Sequence, residues 1–588
     1  MRGLWNLKME IKLFDKCNNK CKLCEHLGKL GMNPSFNEIE EQLRGLRRLS
    51  TEVTLSGGEP FLREDILAIL DLGEALRFKQ KYIYSNARVF SNKSVANRIA
   101  DYTFTLIVPF FHHTPLVHDL VTRVPGSFRE SLLGIVNLRR VGVGVAVNYI
   151  VTKDNIRELV TSVQFFRGLG IKEFWLNILA EINQAFPFIK QLWEYAQQNG
   201  LNIHFENYQR ELSILLNHMF TGPIVTQFEI TNACNHKCVF CYHHSPHLLE
   251  PDDPYFDTHP YDKELVKRPK SWHQQRVSFE FLKGYVKEAV STGCSYIQLG
   301  GGGEPMTHPD IMSMLRFIKK LGLRVQVFTN LTVPNANMIR ELLRLGVDVL
   351  EVNVSAATPD TYSKVHTVPK SEFHKLSQNL ELIHKLKSKL KARQPELRIM
   401  NPICTLNYQE IPEMVTFAHR YGASAVYLGH LQTTQLTNYL LLKPAQIKEA
   451  NRLVMNALER AESLKLMHNF HQYLDVLNYR GTLKGSHTKQ IYNRVGCLIP
   501  FYETQIHLDG RVAPCCLHPT IFSLDGMGFR EMWNSKAYRD FRQKVLGLYR
   551  KKEKRYLCRG CRMCVYQEDI QRFYNELVEV GLAKYLGK

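Results

Sequence analysis

No stretch of this 588-residue chain runs uninterrupted through the roughly eighteen apolar residues a bilayer-spanning helix requires, which leaves no candidate membrane span. The opening MRGLWNLKMEIKLFDKC lacks the long apolar core and small-residue cleavage site of a secretory signal, so the cytoplasm is the expected location. Acidic residues are in deficit, 56 Asp and Glu against 76 Lys and Arg, for a formal net charge of +20. No recognisable RNA-binding module accompanies that charge, so a nucleic-acid partner is supported by charge alone. Solitary cysteines are scarce: of fourteen, all but Cys294 and Cys404 belong to the groups at 17–24, 234–241, 497–516 and 558–564. The tight spacings within these groups suit a metal better than a set of disulfides, and a reducing compartment agrees with that. Cys294 and Cys404 sit in apolar surroundings and read as small buried hydrophobes. Hydrophobic content of 44% and charged content of 22% are those of a globular chain, and its length calls for about three or four domains.

What is present is organised around Phe228 to Tyr242, FEITNACNHKCVFCY, in which Cys234, Cys238 and Cys241 follow a short apolar strand at C-x3-C-x2-C spacing. Three thiols are one short of a closed zinc site or a fully ligated iron-sulfur cluster, so the spacing points to a cluster with one iron left open. About sixty residues later comes GGGGEP, again after an apolar run (Tyr296, Ile297, Leu299). The same two signals occur earlier in the same order, as Cys17, Cys21 and Cys24 and then SGGEP at Ser56 to Pro60. Two linked motifs recurring at similar separation are an internal repeat.

Triad and GGEP together resemble the radical S-adenosylmethionine (radical SAM) enzymes. The resemblance implies a [4Fe-4S] cluster on each triad, SAM chelated at the open iron, and reductive cleavage to a 5'-deoxyadenosyl radical. It also implies an α/β fold: two partial (β/α)6 barrels in tandem plus a small C-terminal cysteine-rich α+β cluster domain. Strands are expected at Met9 to Phe14, Val53 to Leu55, Lys81 to Tyr84, Tyr102 to Val108, Val143 to Ile150 and Glu173 to Ile178. In the second half they are expected at Val225 to Ile230, Tyr296 to Leu299, Val325 to Phe328, Val349 to Val354, Arg398 to Thr405 and Ala425 to Leu428. Domains are expected over 1–220, 221–475 and 476–588. By position, Gly57, Gly58, Glu59, Ser85 and Asn86 in the first half match the family's SAM contacts. Gly302, Gly303, Glu304, Thr329, Asn330 and Ser355 match them in the second. The glycines are expected to let the backbone approach the methionyl end, and each Glu to offer a carboxylate to its amino group. His118 and Asp119 are either part of that site or a polar loop contact.

The connection from His247 to Trp272 is long and rich in proline and aromatics, so it is a candidate lid over the second triad. The first half has only Glu25 to Asn33 at that place. Further on, Cys497, Gly510 and Cys515, then Trp533, and finally Cys558, Cys561 and Cys564 resemble the SPASM/twitch extension, which binds auxiliary clusters. The pattern stops short of a full SPASM set, so one auxiliary [4Fe-4S] cluster is expected, held by Cys497, Cys515, Cys558 and Cys561. Cys564 is the substitute ligand, Cys516 a neighbour, and four-thiolate zinc the competing reading. The basic segment Tyr549 to Arg562 suits an acidic flavodoxin or ferredoxin-type electron donor. The expected activity is hydrogen abstraction from a peptide or small-metabolite substrate with the auxiliary cluster relaying electrons, as an oxidoreductase or transferase. The alternatives are one non-catalytic barrel serving as relay or partner platform, or a nucleic-acid-modifying enzyme. A separate leader-peptide domain is not expected ahead of the first strand.

Overall fold

The computed structural model describes residues 10–24, 33–49, 52–254, 266–431, 435–480, 495–515, 521–524, 526–551 and 566–586. The chain divides into two compact units, residues 1–221 with 572–588, and residues 222–571.

The first unit is built on a seven-stranded sheet in chain order, every pair parallel. Its strands are β1 (Glu10–Phe14), β2 (Glu52–Gly57), β3 (Gln80–Tyr84), β4 (Thr105–Phe110), β5 (Gly144–Val151), β6 (Glu173–Ile178) and β7 (Asn202–Phe205). Sequential parallel order demands a crossover between each pair, which the helices Phe36–Leu49, Ile66–Ala75, Ser127–Arg140, Leu159–Gly168 and Ile182–Gln198 help to provide. They bury one face of the sheet through residues such as Leu13, Val53, Ile83, Leu106, Phe174 and Leu176. β7 escapes a reading by alternation because four residues are too few to show a period.

The second unit repeats the plan with β8 (Val225–Glu229), β9 (Tyr296–Gly300), β10 (Arg324–Thr329), β11 (Val349–Asn353), β12 (Glu396–Ile403), β13 (Ala425–His430) and the two-residue β14 (Met467–His468). All are parallel and in order. The sheet continues past β8 into β15 (Glu503–Ile506), β16 (Arg511–Ala513) and β17 (Phe522–Ser523), for ten strands. β15 runs parallel to β8 with Glu503 opposite Val225 and Ile506 opposite Phe228. The cysteine-rich C-terminal region therefore extends the second sheet through its strands. It is pinned there by the backbone N–H of Phe529, which donates to Glu288 Oε2 at 2.6 Å. Its own core closes on Arg542, which is fully buried between Trp533 and Tyr538 and donates to Pro500 O and Trp533 O. The last seventeen residues, 572–588, belong to the first unit, where Tyr585 packs on Phe186 and donates to Asn183 O. Among the described residues no helix is long and apolar enough to cross a membrane.

Candidate active site

Each cysteine triad lies in the loop leaving the first strand of its sheet, and the surrounding structure grips both loops in the same way. The backbone N–H of Lys20 donates to Thr122 O (3.0 Å) and that of Lys22 to Val121 O (2.9 Å). In the second unit Lys237 N–H donates to His366 O (3.2 Å) and Val239 N–H to Val365 O (2.9 Å). Within the loops, N–H groups turn toward sulfur: Asn19 to Cys17 (3.4 Å), His236 to Cys234 (3.5 Å) and His243 to Cys241 (3.4 Å). Burial, and then the neighbouring Cys17 and Cys24, push the Cys21 thiol up to about 12. Burial leads at Cys238 too, followed by Cys241 and Cys234. Three free thiols crowded closely enough to oppose one another's ionisation, with amides already aimed at sulfur, fit a cationic iron-sulfur core. Such a core takes thiols as thiolates and cancels their repulsion.

The glycine-glycine-glutamate turns hold these loops from the other side. Gly58 N–H donates to Phe14 O at 2.6 Å and Glu59 N–H to Lys16 O at 2.7 Å, while Glu304 N–H donates to Ala233 O at 2.8 Å. A Cβ on Gly58 would lie 2.2 Å from Lys16 O, and one on Gly303 2.2 Å from Ala233 O. The glycines are thus required by the approach of one backbone to another, the GGE turn against the cysteine loop. The carboxylates are also engaged within the protein. Glu59 accepts from Phe61 N, Ser85 Oγ and Asn86 N, and Glu304 accepts from Met306 N, Thr329 Oγ1 and Asn330 N. Both are fully enclosed, and burial raises each to about 7 against the pull of those donors. Each Glu fastens the turn after the third strand to the cysteine loop, a linkage completed by Asn86 Nδ2 to Asn18 Oδ1 (2.6 Å) and Asn330 Nδ2 to Asn235 Oδ1 (2.8 Å).

Ser355 lies two residues beyond the fourth strand of the second unit, in a left-handed turn (φ 55°). Its N–H donates to Asn401 Oδ1, its hydroxyl to Asn353 Oδ1, and its carbonyl accepts from Asn407. Asp119 is a helix cap, accepting from Gly126 N, Ser127 Oγ and Phe128 N. His118 is buried among Phe110, Phe111 and Phe128 and is held down to about 4 by that burial, so this pair is a structural contact. The described part of the long connection brings Trp272 against His243 and His244, and His244 Nε2 lies 2.8 Å from Gly302 O, so it covers the GGGE turn. Residues 255–265 of that connection, 25–32 of its shorter counterpart, and Cys516, Cys558, Cys561 and Cys564 lie outside the described residues. Of the auxiliary ligands expected, Cys497 and Cys515 are described and are half-buried. Cys294 is buried, and Cys404 joins an apolar cluster with Val239, Val365, Leu431 and Leu440.

Several groups escaped the sequence reading because they meet only through the fold. His366 Nδ1 lies 3.0 Å from Cys238 Sγ although 128 residues separate them. On the face of the second sheet opposite its apolar side, Tyr296 donates to Gln326, which donates to Glu351 at 2.8 Å. His507 Nδ1 lies 2.9 Å from Glu229 Oε2. In the first unit His112 Nε2 lies 3.1 Å and His113 Nε2 3.7 Å from Glu158 Oε2. The His-His pair at a strand end was the available signal for that last group.

Two parallel sheets with helical crossovers thus each bear a clamped three-cysteine loop at the end of the first strand. Residues 11–166 and 228–418, more than half of the chain, match the Radical SAM superfamily, and the chain belongs to it. Residues 497–564 match SPASM, the iron-sulfur cluster-binding domain. Its cofactors are [4Fe-4S] clusters and SAM. The AdoMet-dependent heme synthase of Methanosarcina barkeri is 23% identical over 360 residues, 59% of this chain and 93% of that protein. The tungsten-containing aldehyde ferredoxin oxidoreductase cofactor-modifying protein of Pyrococcus furiosus is 25% identical over 224 residues, 38% of this chain and 53% of that protein. Among solved structures, Streptococcus suis SuiB bound to S-adenosylmethionine is similar over 76% of this chain and 89% of its own (TM-score 0.43, 12% identity).

Proposed function

We propose that this chain is a SPASM-type radical SAM oxidoreductase that abstracts a hydrogen atom from a polar substrate, a peptide or a small metabolite. Both sheets are taken to curve into partial barrels, with the substrate held over the polar face of the second. In this reading Cys17, Cys21 and Cys24 hold one [4Fe-4S] cluster and Cys234, Cys238 and Cys241 another. Cys497, Cys515, Cys558 and Cys561 or Cys564 hold an auxiliary cluster. When bound and reduced, the SAM-chelating cluster supplies one electron to the sulfonium and so the 5'-deoxyadenosyl radical.

The protein's part is positional. Glu304 and Asn330 keep the turn after β10 against the Cys234 to Cys241 loop, so the surfaces that receive the methionyl and adenosyl ends keep one spacing. Gly302, Gly303, Thr329 and Ser355 line the same edge, while Trp272 and His244 cover the GGGE turn and exclude water from it. A flavodoxin or ferredoxin-type protein is the proposed electron donor, supported by the excess of basic residues.

The observation that carries this reading is the clamp built twice: Glu to Ser/Thr-Asn, and Asn to the residue after the first cysteine. Anaerobic reconstitution with iron, sulfide, SAM and dithionite tests it. The wild-type chain is expected to release 5'-deoxyadenosine, and a variant with Cys234, Cys238 and Cys241 all changed to Ala is expected to release none. An iron-loaded wild type that leaves SAM intact refutes the proposal.

A further inference from the structure

The two cysteine loops are gripped alike but covered differently. Lys20 and Lys22 donate their N–H groups to Thr122 O and Val121 O, and Lys237 and Val239 donate theirs to His366 O and Val365 O. These bonds set Lys22 where the second unit has Val239, and Leu23 where it has Phe240. They also align the helix Pro115–Thr122 with Pro359–His366, each followed by a residue in the left-handed region, Arg123 (φ 56°) and Thr367 (φ 53°). In the second unit Val239 is buried with Val365, Cys404, Leu431 and Leu440, and Phe240 packs against that cluster. Leu431 and Leu440, which follow β13, thus close over the outer side of the loop. In the first unit Lys22 is exposed and Leu23 is 44% exposed. Cys17 is exposed too, whereas its counterpart Cys234 is half-buried.

The helix beside the loop differs in the same sense. Two of its outward positions hold Asp360 and Lys364 in the second unit, both exposed, with Asp360 paired to Lys370. In the first unit the same positions hold Leu116 and Leu120, 74% and 58% exposed. The fold accepts charge at both places, so it does not itself require leucine there. Leu116 and Leu120 lie one turn apart, and the loop bonded to the end of their helix carries Leu23, which together make an apolar surface of the kind that marks a binding site. The exposed charged residues of this loop and helix end, Lys16, Lys20, Lys22 and Arg123, are all basic. A second copy of the chain would bring like charges together across a two-fold interface, which opposes self-association here. An apolar centre with a basic rim fits an acidic protein instead, and a metal-ligating triad at the surface suits the small, weak interface of an electron-transfer partner.

We propose that this face of the first unit is the docking surface for an acidic one-electron carrier of the flavodoxin class, and that its electron enters the chain at Cys17, Cys21 and Cys24. The carrier's anionic flavin hydroquinone gives up one electron to the cluster held there and becomes the neutral semiquinone, so no proton moves and no bond forms or breaks. The donor is thereby placed on the first unit and not on the basic segment Tyr549 to Arg562. This rests on the cluster proposed for the first triad.

Isothermal titration of the anaerobically reconstituted full chain with oxidised flavodoxin, with iron measured in parallel, tests the inference. Wild type is expected to bind flavodoxin, and more weakly as salt rises. L116D with L120K, which gives the helix the outer residues of its counterpart, is expected to bind about tenfold more weakly at unchanged iron. K20E with K22E is expected to lose about tenfold as well, through slower association. Reduction by flavodoxin hydroquinone in a stopped-flow is expected to slow about tenfold in both variants, while dithionite reduces them to the same extent as wild type. Unchanged binding in both variants, or loss of binding only on charge reversal at Lys551, Lys552 and Lys554, overturns the inference. A wild type that binds a short DNA duplex and no flavodoxin overturns it too. A chain that binds flavodoxin through Leu116 and Leu120 yet leaves SAM intact refutes the radical SAM reading and leaves this surface standing.

Discussion

At the level of single residues, Gly58 and Gly303 and the buried carboxylates do most to shape the site. Because a methyl group at Gly58 or Gly303 would meet a backbone carbonyl at 2.2 Å, neither loop can absorb it by rotating a side chain. G58A and G303A are each expected to leave the sheets intact, by far-ultraviolet circular dichroism, and to lower iron loading by about four atoms per chain, one cluster each. Retention of full iron would show that the clamp tolerates displacement. Glu503 provides a pH signature. It is fully buried with the Tyr566 hydroxyl donating to it at 2.7 Å, and burial raises it to about 7 from an ordinary value of 4.5. Its folded pKa lies above its unfolded one, so its contribution is fully present below about pH 4.5 and is lost as the pH rises through 7. The sum at stake is at most about 3 kcal/mol. E503Q, which keeps an acceptor for Tyr566 and cannot ionise, is expected to flatten the fall in urea resistance between pH 4.5 and 7. An unchanged slope would assign that fall to other groups.

Among the elements, most strand cores were legible because alternation or a continuous apolar run marks them, and Glu173–Ile178 is found as read. Ends shifted by one to three residues, since backbone pairing continues past the apolar run, as at β2, which reaches Gly57. β7, β14 and the pairing of β15 with β8 were not legible, the first two for shortness and the last because nothing local links residues some 275 positions apart. The turn after β11 shows the same limit. Glu410 reads as one more surface carboxylate, yet it accepts at 2.6 Å from Ala357 N, Thr358 Oγ1 and Thr361 Oγ1 and so starts the helix Pro359–His366. Since that helix supplies His366 O and Val365 O to the second cysteine loop, E410A is expected to speed amide hydrogen exchange at Ala357 and at Lys237 by about tenfold. Faster exchange at Ala357 alone would mean that the helix start and the loop open independently.

For the whole molecule, the two triads and the combined C-terminal cysteines predict about twelve irons per reconstituted chain, four for each of three clusters. Eight irons with one zinc would keep both triads and replace the auxiliary cluster by a four-thiolate zinc site. The sequence by itself determined the cofactor chemistry. Ligand identity and spacing within a loop are local properties, and two triads each followed by GGEP are visible without coordinates. It also determined the parallel β/α plan, because hydrophobic periodicity is local. Only the tertiary structure decided which partners the recurring parts of each half take within the protein. Glu59 and Glu304 hold turns because their partners, Ser85 to Asn86 and Thr329 to Asn330, come from another strand. The joining of the C-terminal strands to β8 was likewise decided there. So was the difference between Leu116 and Leu120 in one unit and Asp360 and Lys364 in the other. That difference emerges only when the bonds from each cysteine loop to a distant helix align the two halves. The physical reason is the same in each case: a hydrogen bond or a steric limit between distant segments leaves no periodicity in the chain that makes it.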